Sequence, residues 1–113
     1  MITHLMLLKP KPDLTASNQR ALVLALERAA QQISSIRAVR IGRRVTHGAA
    51  YEQGMPDTAD FVAALEFDDV PGLQTYLQHP AHAELGALFG RSLSSACVYD
   101  FETGGLEMLQ SLV

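Results

Sequence analysis

Tyr76, His79, Pro80 and His82 stand together in the segment Tyr-Leu-Gln-His-Pro-Ala-His. An imidazole that titrates near neutrality and a phenol make a natural pair for proton transfer. The imidazole can take a proton from a carbon beside a carbonyl, and the phenol can hydrogen-bond the enolate oxygen that forms. Proline lacks an amide hydrogen and suits the first turn of a helix. His82 is therefore expected in a first turn opened by Pro80, where the positive end of the helix dipole disfavours imidazolium and keeps a general base neutral. His4, alone among apolar neighbours, could orient a substrate carbonyl. The same residues have structural uses, which stay open: Pro80 sets a helix break, His79 caps a neighbouring carbonyl, and His4 and His82 satisfy buried polar contacts. His79 and His82 could also bind a metal with His4 or Asp100. The break at Pro80 should turn the two rings apart, so no metal is expected. His47 reads as a solvated loop side chain.

The elements that must position these groups are legible in the hydrophobic pattern. Ile2 to Leu8 is a short apolar run closed by Lys9-Pro10-Lys11-Pro12, which predicts a strand buried on both faces, with Ile2, His4, Met6 and Leu8 sharing one of them. Thr15 is a plausible N-cap for a helix carrying Leu22, Leu26, Ala29 and Ile33 at helical spacing. A second strand is expected over Ile36 to Val45, with one side wet. Arg40 and Arg44 fall on one of its faces and Arg37 and Arg43 reach the other, as suits a solvated edge strand. Thr46 to Ala59, with Gly48, Gly54 and Pro56, reads as a loop and a possible lid. A third strand follows over Phe61 to Phe67, then helices over Leu73 to Gln78 and Ala81 to Arg91 separated at Pro80, then a fourth strand over Ser94 to Phe101. Cys97, alternating with Tyr99 and Phe101, belongs to that strand. The order βαββαβ predicts an α+β, ferredoxin-like plait: a four-stranded antiparallel sheet with helices on one face. Strands apolar on both faces require a cover for the second sheet face, and a second copy of the chain is the simplest one. Gly104 to Val113 could form a short helix with Leu106, Leu109 and Leu112 on one side.

Composition sets the outer bounds. The 113 residues, 48% hydrophobic and 19% charged, fit a single domain. Nine basic against twelve acidic residues leave a formal charge of −3, the wrong sign for a general nucleic-acid binder. The lone Cys97 excludes an intrachain disulfide and fits a reducing, cytoplasmic setting. Leu5-Met6-Leu7-Leu8 is too short for a membrane span or an export signal.

The Tyr76 to His82 segment and the closing Tyr99-Asp100-Phe101, taken with the opening Ile2-Thr3-His4-Leu5, resemble the stress-responsive A/B barrel (Dabb) family over residues 1–102, leaving 103–113 as an extension. The resemblance implies a homodimer packed sheet to sheet, with a cavity in each subunit between the sheet and its helices. It includes cofactor-free polyketide cyclases that perform an intramolecular aldol condensation. Their catalytic Tyr and His match Tyr76 and His82, and their strand-one histidine matches His4. Their apolar pocket wall matches Met6, Leu8, Leu85, Gly86, Leu93 and Val98, while Leu22, Val23 and Leu26 stand where they carry aromatic residues. A small apolar or aromatic ligand, handled without a cofactor through His82 and Tyr76, is the function implied. The alternative is a non-catalytic, stress-associated dimer with a filled pocket.

Overall fold

Alternation along the strands decides which side chains face the helices. In the computed structural model, which describes residues 1–57 and 59–112, strand β1 (Ile2–Pro10) buries Ile2, His4, Met6 and Leu8 on one face, while Thr3, Leu5 and Leu7 on the other stay half-buried. Strands β2 (Ala38–Arg43), β3 (Phe61–Phe67) and β4 (Leu93–Glu102) complete an antiparallel sheet in the order β2-β3-β1-β4. Helices α1 (Ala16–Gln32), α2 (Val70–Gln78) and α3 (Pro80–Ser92) connect them. This is the ferredoxin-like α+β plait expected from the element order. Short 3-10 turns occupy Ala50–Gly54 and Leu106–Leu112. Thr58 of the expected loop and Val113 of the expected extension lie outside the described residues.

Local chemistry explains the boundaries. The Thr15 hydroxyl accepts from the Asn18 amide at 3.1 Å and starts α1. The Asp69 carboxylate accepts from the Gly72 amide at 2.8 Å, so α2 begins at Val70, earlier than the apolar spacing suggested. Strand β2 is shorter than Ile36 to Val45. Single backbone bonds, Arg37 N to Glu66 O and Arg44 N to Asp60 O, close its two ends, and beyond them Val45 is 74% exposed. Arg40 lies opposite Ala64 on the face away from the helices, and Arg43 lies opposite Phe61 on the helix side. Arg37 and Arg44 pair with Asp68 and Asp57.

The core joins Ile2, Met6, Leu65, Phe67, Leu73 and Tyr76 under α2, and Ala25, Leu85 and Leu88 between α1 and α3. An ion pair between Arg28 and Glu84 ties those two helices together at the surface. The opposite sheet face is uncovered, with Tyr99 about half exposed opposite Leu5 and Phe101 about half exposed opposite Thr3. The molecule is flat, 45 × 38 × 18 Å. It exposes 7653 Å², against roughly 6,000 Å² for a monomer of this length. No helix among the described residues is long and apolar enough to cross a membrane.

Candidate functional site

The break between α2 and α3 assembles the site. His79 adopts extended backbone (φ −76°, ψ 142°), its amide donating to the Tyr76 carbonyl at 3.1 Å as α2 closes. Its side chain then caps α3: the Ala81 amide donates to His79 Nδ1 at 3.0 Å. His79 thus caps an amide rather than the carbonyl expected, because helix N-termini present unpaired donors. Pro80 takes the first position of α3, and the His82 amide donates to the His79 carbonyl at 3.0 Å. Tyr76 in the last turn of α2 and His82 in the first turn of α3 meet across this corner, edge to face, with ring centroids 4.8 Å apart.

Two further rings and a carboxylate complete the cluster. His4, from the helix-facing side of β1, meets Tyr76 at 5.6 Å and 65°, and Phe67 from β3 packs at 5.5 Å. Asp100, directly opposite His4 on β4, places Oδ1 2.6 Å from His4 Nδ1. Tyr76 is 1% exposed, and burial pushes its phenol up to about 12. It therefore stays a hydrogen-bond donor throughout the neutral range. Half-buried His82 is held below the ordinary imidazole value, first by burial and then by the charge of His4, with the Leu77 backbone opposing both. The order Asp100, His4, Tyr76, His82 offers a positioned histidine, a neutral phenol and a histidine that favours its basic form.

An apolar, half-open cavity lies elsewhere on the same sheet face. It has a volume of about 510 Å³ between α1 and the sheet, within the range of small-molecule pockets. Leu8, Leu22, Val23, Leu26 and Leu93 line it. Leu22 and Leu26 are only half-buried because they face this space. Met6 and Leu85 are packed in the core, whereas Gly86 and Val98 are exposed and outside the cavity. His4, Tyr76 and His82 do not line it. His4 precedes Leu8 by four residues on β1, about 13 Å at the usual strand rise, with buried Met6 between them.

Sequence reasoning missed several neighbours. Val39, Ile41, Phe61, Ala63 and Phe89 also line the cavity, and the alternation in β2 and β3 already carried that signal for the first four. No described residue of Thr46 to Ala59 lines it. His47 in that loop instead pairs with Tyr51, its Nε2 3.0 Å from the phenol oxygen, while Glu52 accepts from the His47 and Gly48 amides. Among the described residues no three of His, Cys, Asp or Glu converge on a metal-sized site.

A family model described as the stress responsive A/B barrel domain matches residues 2–103. No curated protein matches the chain. Among solved structures, a protein of Arabidopsis thaliana is similar at 19% identity and a TM-score of 0.77, covering 94% of this chain and 98% of its own. A dimeric ferredoxin-like protein of unknown function from Thermobifida fusca aligns at 20% identity and a TM-score of 0.70, over 90% of each chain. A hydroxynitrile lyase from Passiflora edulis aligns at 13% identity and a TM-score of 0.71, over 92% and 96%.

Proposed function

The chain belongs to the stress-responsive A/B barrel family, and on that premise we propose that it is a cofactor-independent enzyme or binder of apolar, polyketide-like small molecules. The observation that carries this reading is the cavity of about 510 Å³, walled by aliphatic and aromatic side chains on the same sheet face as the His4, Tyr76 and His82 cluster. The ligand's apolar part occupies the cavity. Met6, an unbranched and adaptable side chain, swings aside to let the ligand's carbonyl end reach the cluster. His82 then removes a proton from a methylene between two carbonyls, Tyr76 donates a hydrogen bond to the enolate oxygen, and the carbanion forms a carbon–carbon bond to a second carbonyl. That carbonyl oxygen takes the proton held by His82, and the resulting hydroxyl later leaves as water with a hydrogen from the adjacent carbon.

The working unit in this reading is a homodimer joined through the open sheet face. Leu5, Leu7, Tyr99 and Phe101 supply the apolar surface, and similar structures are dimeric. Cytoplasmic residence fits the single free thiol of Cys97.

Thermal-shift screening against β-polyketo acids, followed by an absorbance assay for cyclised phenolic products, tests the proposal. A hit raises the melting temperature. With His82→Ala the hit should persist while turnover falls by about 10²–10⁴-fold. A flat screen, or turnover indifferent to His82, defeats it. The tight packing of Met6 and Tyr76, 2% and 1% exposed, favours a second reading as a non-catalytic dimer, and a flat screen would select that one.

A further inference from the structure

The cavity's charged surroundings identify the kind of molecule that fits it. On β2, Val39 and Ile41 line the cavity, and Arg43 is the next residue of the same alternation. Directly opposite Arg43 on β3 stands Phe61, which lines the apolar cavity on one side and a polar surface hollow on the other. Arg43, Arg44, Thr46, Asp57 and Asp60 make up the rest of that hollow.

The charges there are unequally engaged. Lys9 binds Asp57 at 3.0 Å and Asp60 at 3.2 Å, and Arg44 lies 3.6 Å from Asp57. Both carboxylates are thus answered, while Arg43 is exposed and makes no ion pair among the described residues. Three cations face two anions, leaving the Arg43 guanidinium without an ion pair among the described residues, in the hollow that shares Phe61 with the largely apolar cavity. The helical rim carries Glu27 and Gln19, on α1 across the cavity.

We propose that the cavity takes an anionic amphiphile, a single hydrocarbon chain with a carboxylate head, whose tail lies between α1 and the sheet and whose head is bound by Arg43 beyond Phe61. This rests on the reading of the cavity as a ligand site and adds the polarity of the ligand and the direction in which it lies. A guanidinium presents paired donors matched to a carboxylate, and an unpaired one gains a partner without breaking an existing bond. In this orientation the end of the chain remote from the carboxylate, which in a polyketide-like ligand carries the reacting carbonyls, points along β1 toward Met6 and His4.

Calorimetric titration of the full chain with dodecanoate, dodecanol and dodecylammonium tests the assignment. Dodecanoate should bind more tightly than the other two, and Arg43→Gln should weaken it about three- to tenfold at low salt while leaving dodecanol unchanged. Arg40→Gln, on the opposite sheet face, should alter neither. The preference for dodecanoate should shrink as ionic strength rises. Equal binding of dodecanoate and dodecanol, tighter binding of dodecylammonium at the Glu27 rim, or indifference to Arg43→Gln overturns the head-group assignment and leaves the cavity reading standing. Absence of binding by all three overturns both.

Discussion

Asp100 holds His4 from the neighbouring strand: the two are directly opposite across β1 and β4, with Oδ1 and Nδ1 2.6 Å apart. Because a carboxylate only accepts, the hydrogen of this bond belongs to Nδ1, and Nε2 is the nitrogen left to face other partners. Asp100→Ala should free the ring. In ¹⁵N spectra of the histidine side chains, His4 should lose its fixed Nδ1 proton, and stability should fall by at most about 1 kcal/mol because Asp100 is partly exposed. An unchanged His4 signal would refute the pairing.

His82 gives the protein a specific acid sensitivity. Its folded-state value is lowered, so between that value and the ordinary imidazole value near 6.5 the unfolded chain binds more protons than the native one. The contribution is fully present above about pH 6.5 and is lost as pH falls through the lowered value. Melting curves from pH 8 to pH 5 should therefore decline less steeply for His82→Gln than for the parent chain. Parallel declines would show that His82 is not the group responsible.

Tyr76 should ionise late, since burial carries its phenol to about 12. Absorbance titration at alkaline pH should show a late step that Tyr76→Phe removes. Persistence of that step in the variant would count against the buried environment. Tyr76→Phe should leave stability nearly unchanged, because the ring keeps its contacts with His4, Phe67 and His82.

Ser92 is fully buried, and its hydroxyl has no hydrogen-bond partner among the described residues. Ser92→Ala should be neutral or stabilising, by up to about 1 kcal/mol, since an unmade bond is removed with its desolvation cost. Leu85→Ala, at an equally buried position of the same helix, should cost about 2–5 kcal/mol. Chemical denaturation of the two variants checks the contrast, and a marked loss at Ser92 would contradict it.

Deleting residues 104–113 should leave the chain's melting temperature unchanged, because Leu106, Leu109 and Leu112 are 85%, 59% and 80% exposed and add nothing to the core. Sedimentation of the deleted and full chains then reports on assembly: equal dissociation constants exclude the tail from any interface.

Period-two alternation in β1 was enough to put Ile2, His4, Met6 and Leu8 on one face, because a strand has only two. The Pro80 break likewise announced itself, since proline restricts its own backbone. The partnership of His4 with Asp100 spans 96 positions and depends on strand register, which no local pattern encodes. The division between cavity and cluster was hidden for a different reason. It depends on how fully Met6 and Leu85 fill the space under α3, and identical apolar spacing can describe a packed wall or an open one. The depression of His82 was anticipated from its helix position, yet burial and His4 supply it in the fold.

His79 terminates one helix with its backbone and starts the next with its imidazole. Those two roles in one residue make the corner a hinge without play. Tyr76 and His82 are indexed to each other through six covalent steps of chain, so their mutual orientation is insulated from drift elsewhere in the sheet. The cavity wall, contributed by six separate elements, has no such insulation. The molecule thus pairs a reagent geometry written locally with a recognition surface written globally, and the second can be reshaped while the first stays still.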